Sequence, residues 1–117
     1  MLMSAVDIFK ALSGKRFTLS DEKRLQEEVQ EVLDQEGIEY AREHRLNQSD
    51  IIDFRCGPVG IEIKIKGGKR DIYNQIERYA KHDCLEELIL VTNVATGFPP
   101  ELNGKPVYVL NLARAWL

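Results

Sequence analysis

The 117-residue chain is poor in several things, and each shortage excludes something. It has two cysteines, Cys56 and Cys84, 28 positions apart, with no Cys-x-x-Cys and no Cys/His grouping of ligand spacing. That rules out a disulfide scaffold and a structural zinc site, and it predicts two small buried hydrophobes in a reducing compartment. No apolar run approaches the roughly 20 residues of a membrane span, and Asp7 and Lys10 interrupt the stretch from Met1 to Leu12 where a secretory signal needs continuity. The expectation is a cytoplasmic protein with no membrane partner. Positive charge is not in excess either: 16 basic against 19 acidic residues give −3, which excludes a globally basic wrapper of nucleic acid but not a local basic strip. Proline numbers four, and no low-complexity linker or repeat divides the chain, so one domain is expected.

What is present is ordinary globular material, 44% hydrophobic and 30% charged, enough for a core without staples. Val6, Ile8, Phe9 and Leu12 mark a short N-terminal helix within residues 1–14, stopped near Gly14. Ser20 reads as the N-cap of a long helix whose apolar stripe is Leu25, Val29, Val32 and Leu33 and whose C′ residue is Gly37. The period then becomes that of strands, over Ile38 to Leu46, Asp50 to Cys56 and Gly60 to Lys66. A helix is expected from Lys69 to about His82, then strands at Leu88 to Asn93 and Pro106 to Leu112, separated by a Pro/Gly-rich loop. Residues 20–112 form the predicted core and 113–117 a tail, with Trp116 as a packing anchor or interface residue. This order predicts an α/β fold with a central mixed sheet: three strands in an antiparallel meander, and a fourth brought in parallel by the intervening helix.

The strictest alternation lies in Gly60-Ile61-Glu62-Ile63-Lys64-Ile65-Lys66. Ile61, Ile63 and Ile65 share one face of the strand, and Glu62 and Lys64 share the other, roughly 6.5–7 Å apart along the backbone. A second carboxylate from the preceding strand, Asp53 or Asp50, can reach the same point. An aspartate and a glutamate on adjacent strands suit Mg²⁺ or Mn²⁺, which keep water and phosphate oxygens as further ligands, and Lys64 can orient the water or neutralise developing charge. Alternation puts Asp50 on one face with Ile52 and Phe54, and Asp53 on the other with Ile51 and Arg55. If Ile52 and Phe54 face the core, Asp53 is the carboxylate at the site. Against this stands the plain reading of any acid-x-Lys pair, a solvated strand face or a cross-strand ion pair.

Asp53, then Glu62-Ile63-Lys64, then a helix carrying Gln75-Ile76-x-Arg78-Tyr79 resembles the PD-(D/E)XK nuclease superfamily, nearest the small virus-type replication-repair (VRR-NUC) nucleases and the Holliday-junction resolvases. The resemblance spans roughly Asp21 to Asn93 and implies a restriction-endonuclease-like αβββαβ core. It further implies that Asp53 and Glu62 hold the metal with the Ile63 carbonyl, that Glu22 completes the shell, that Lys64 is the catalytic lysine, and that Gln75 supports the site. The residue before Asp53 is Ile52 where the family pattern has proline. Lys64, Lys66, Lys69, Arg70, Arg78 and Lys81 form a strip suited to backbone phosphates, beside the Gly67-Gly68 turn, whose exposed amides could approach phosphate. His44 and His82 read as surface or hydrogen-bonded residues. The expected activity is metal-dependent hydrolysis of phosphodiesters, in DNA more than RNA and selective for nucleic-acid shape, by a homodimer presenting two sites. The competing expectation is an inactive nuclease-fold module that binds nucleic acid or protein.

Overall fold

The structure, a computed structural model, describes residues 3–116; Met1 and Leu2 of the expected N-terminal segment and Leu117 of the expected tail lie outside the described residues. Elements follow the order α1 (Ala5–Leu12), α2 (Glu22–Gln35), β1 (Ala41–Arg45), β2 (Ile51–Cys56), β3 (Val59–Lys64), α3 (Lys69–Tyr79), β4 (Glu87–Thr92), β5 (Glu101–Leu102), β6 (Lys105–Asn111) and a closing 3₁₀ turn, Leu112–Trp116. The six strands form one sheet in the order β1-β2-β3-β4-β6-β5. β1, β2 and β3 make the antiparallel meander, and β3, β4 and β6 run parallel, with α3 as the crossover between β3 and β4. This is the α/β mixed sheet with an αβββαβ order that the hydrophobic periods predict.

Two apolar layers cover the sheet. Ile61, Ile63, Ile89 and Val91 pack against α1 and α2, and Leu88, Leu90 and Val107 pack with Ile72, Ile76 and Tyr79 of α3. Each helix carries one buried stripe because its apolar residues recur at three- and four-residue steps. β4 is buried on both faces, as its unbroken apolar run requires. Gly60 leaves room for this packing, since a Cβ there would stand 2.5 Å from Ile52 Cδ1. Among the described residues no helix is long and apolar enough to cross a membrane.

Several expectations change in detail. The N-cap of α2 is Asp21, not Ser20: its carboxylate accepts from the Arg24 N–H at 3.2 Å. α3 ends at Tyr79 rather than His82, and β1 begins at Ala41 rather than Ile38. The loop before β6 contains β5, joined by Asn103-Gly104, both at positive φ as a two-residue hairpin turn demands. Cys56 is buried, but Cys84 is only partly so. Trp116 is half exposed, and its indole N–H donates to the Phe17 carbonyl at 3.2 Å.

Candidate functional site

The antiparallel pairing of β2 with β3 runs from Cys56↔Val59 to Phe54↔Ile61. At Asp53 and Glu62, the next positions, side chains take over from backbone. The Asp53 N–H donates to Glu62 Oε1 at 3.1 Å, and the Ile63 N–H donates to Asp53 Oδ2 at 2.8 Å. Each carboxylate thus reaches across to the opposite strand's main chain, and the strands part around the pair. β2 also turns over here: Ile52 belongs to the α3 layer, whereas Phe54 belongs to the α1/α2 layer. The alternation that placed Ile52 and Phe54 on one face is therefore broken at Asp53. Both residues are fully buried, so the strand satisfies the two layers in turn by rotating about the aspartate. On β1, the residue across from it, Glu43, has φ 47, a second mark of distortion at this level of the sheet.

Glu62 is only 2% exposed, and its Oε2 lies 3.5 Å from Lys64 Nζ. Burial, reinforced by the charge of Asp53, pushes its carboxyl up to about 8 despite the neighbouring lysine. Asp53 is also raised, by burial first and by the charge of Glu22 as well, while the Ile63 N–H and Lys64 pull the other way. Two carboxylates brought together in a desolvated notch with one ammonium are short of positive charge, and a divalent cation would supply it.

The polar support of Asp53 includes residues that strand patterning did not reveal. Gln26 Nε2 of α2 approaches Asp53 Oδ1 at 3.4 Å, and Arg42 Nη2 of β1 donates to Gln26 Oε1 at 3.3 Å. Arg42 also donates to Gln30 Oε1, and its guanidinium lies 4.8 Å over the Phe54 ring. With its oxygen bound to Arg42, the Gln26 amide must present its NH₂ to Asp53, which fixes that carboxylate. The signal in the sequence is faint: Gln26 and Gln30 stand four apart, beside the apolar stripe of α2.

Glu22, in the first turn of α2, lines a groove of about 490 Å³ together with Lys64, Lys66 and Asp21. Among the described residues it does not join Asp53 and Glu62 in a gathered three-residue metal group. Ile63 contributes its N–H to Asp53. Gln75 is committed elsewhere: its Nε2 donates to the Tyr79 hydroxyl at 2.8 Å, and that hydroxyl donates to the Ile51 carbonyl at 2.9 Å. Tyr79 is held well above its usual range by burial and by the charge of Glu62, so it stays a neutral donor clamping the start of β2. Asp50 is the structural aspartate. It is 5% exposed and meets Arg78 Nε at 3.4 Å and His82 Nε2 at 3.2 Å. His44 lies 3.3 Å from an Arg55 nitrogen.

The basic strip divides. Lys64, Lys66, Lys69 and Arg70 gather around the end of β3 and the first turn of α3, where Gly67 has φ 112 and Gly68 caps the helix without a side chain. Arg78, roughly 12–14 Å along α3 from Arg70 and Lys69 at 1.5 Å per residue, and Lys81, just past the helix end, pair with Asp50 and Glu77. No family model, no curated protein and no solved structure matches this chain.

Proposed function

We propose that the protein is a metal-dependent nuclease of the PD-(D/E)XK type, hydrolysing phosphodiester bonds in nucleic acid, DNA before RNA, with preference set by strand structure. The observation that carries this reading is the parting of β2 and β3 around Asp53 and Glu62, two mutually repelling carboxylates with Lys64 beside them. The donor set fits Mg²⁺ or Mn²⁺: hard carboxylate oxygens, few in number, next to an open groove. Asp53 and Glu62 would hold such a cation, which would polarise phosphate oxygens and lower the pKa of water. The chain does the rest. The Ile63 N–H and Gln26 hold Asp53 in one orientation, Lys64 Nζ neutralises charge developing on the phosphate, and Lys66, Lys69 and Arg70 grip flanking phosphates. A homodimer would present two such sites to two strands.

One observation favours the inactive module instead: the carboxylate oxygens are already engaged by the chain's own N–H groups, by Gln26 and by Lys64. One experiment separates the two. The purified protein is incubated with Mn²⁺ or Mg²⁺ and labelled linear, flapped, four-way and single-stranded substrates, beside Asp53→Asn and Glu62→Gln. Cleavage by wild type that both variants lose supports the nuclease. No cleavage of any substrate, or cleavage that survives both substitutions, rejects it.

A further inference from the structure

A second cavity, larger than the groove beside Lys64, lies away from the carboxylates. It is a groove of about 680 Å³ at the carboxyl ends of β4 and β6, floored by Val109 to Leu112 and walled by the end of α1 and the segment Val94 to Phe98. Open α/β sheets bind ligands at this edge, because loops diverge there above the strand ends. Its described lining carries two charges, Lys15 and Arg114, both cationic, in a chain whose net charge is −3. Both are exposed, and among the described residues neither forms an ion pair. Two half-buried aromatic rings, Phe9 and Phe98, also line it.

Register ties this groove to the carboxylate pair. Lys64 pairs with Thr92, and Thr92 pairs with Asn111, which lines the groove. Two strand spacings of about 4.8 Å put Asn111 about 10 Å from Lys64 along the same sheet edge. From this geometry we infer that the groove holds a single-stranded segment of the nucleic-acid substrate a short distance from the bond cleaved, with Lys15 and Arg114 on its phosphates and Phe98 and Phe9 offering faces to its bases. Cationic rims with interleaved aromatics are how single strands are held without sequence reading. The inference rests on the nuclease reading for the choice of ligand, but its test does not require cleavage.

A fluorescein-labelled single-stranded oligodeoxynucleotide is titrated with the full chain in EDTA, over a series of salt concentrations, and anisotropy gives the affinity. The double variant Lys15→Gln/Arg114→Gln removes two surface cations and no buried contact. Its affinity should fall at least 10-fold at low salt, and the slope of log K against log salt should flatten by about 1.4, since each phosphate contact on a single strand contributes about 0.7. Phe98→Leu, which keeps apolar bulk and loses the ring, should weaken binding several-fold with the slope unchanged. Wild-type affinity and slope in the double variant overturn the inference and leave the groove to another occupant, even if metal-dependent cleavage is found. Loss of binding in the double variant, in a protein that cleaves nothing, upholds the groove and rejects only the nuclease.

Discussion

Glu62→Gln should stabilise the fold while removing the proposed activity. In an unfolded chain this carboxyl titrates at an ordinary 4.5, and in the folded protein at about 8. Between those values the folded state holds a proton that the unfolded state has released, so stability falls as pH rises from about 4.5 to about 8 and is level above. Full expression of that difference, at about 1.4 kcal/mol per pKa unit, bounds the cost of the ionised glutamate at nearly 5 kcal/mol. Lys64 at 3.5 Å and the half-buried setting of Asp53 permit local relaxation, and about 2 kcal/mol is the expected gain for the glutamine variant above pH 8. A glutamine carbonyl can still accept from the Asp53 N–H, so the variant leaves no new unpaired donor there. Thermal unfolding followed by circular dichroism in EDTA, from pH 5 to pH 9, should show the wild-type Tm declining across this window and the variant's declining less. At pH 8.5 the variant should melt roughly 5–10 °C higher. Mn²⁺ added at pH 8.5 should raise the wild-type Tm and leave that of Glu62→Gln nearly unmoved. A variant that melts lower than wild type at pH 8.5, or that keeps the full pH dependence, refutes the claim that Glu62 is a strained carboxylate awaiting a cation.

Arg42→Ala should free Gln26 to rotate away from Asp53 and weaken Mn²⁺ binding about 10-fold, with Gln26→Ala similar, as titration calorimetry would show. Equal affinity in all three proteins would mean that the Arg42–Gln26 relay does not position the aspartate. Asp50→Asn should cost about 2 kcal/mol in urea unfolding by breaking its links to Arg78 and His82, yet keep Mn²⁺ affinity; lost metal binding in folded protein would make Asp50 a ligand. Gly60→Ala should lower stability by about 1–3 kcal/mol, since the added methyl meets Ile52 Cδ1 at 2.5 Å and leucine methyls of Leu85 and Leu88 at 3.2 Å. An unchanged urea midpoint would show that Ile52 yields freely.

The alternation in Ile61 to Lys66 was enough to orient β3, because a strand with charges at every second position can bury only one row of isoleucines. β4 was legible for the opposite reason, an unbroken apolar run that fits only the middle of a sheet covered on both sides. β2 was readable as a strand but not in its faces. Its rotation at Asp53 depends on Glu62 accepting the Asp53 N–H across the sheet, a long-range bond that no local period encodes. For the same reason Gln75 could be placed on the correct helix but not in its pairing with Tyr79 and Ile51. The β5–β6 hairpin had a local signal, Asn103-Gly104, concealed by strands too short to show alternation.

In the proposed mechanism Lys64 acts on a phosphodiester at a cation held by Asp53 and Glu62. Single-turnover cleavage of a labelled substrate in saturating Mn²⁺, comparing Lys64→Ala with wild type, is the decisive measurement. The proposed mechanism predicts a rate lower by about 10²–10³ with Mn²⁺ affinity essentially kept, because in it the lysine stabilises the charged transition state and is not a ligand. A Lys64→Ala protein that cleaves at the wild-type rate would contradict it.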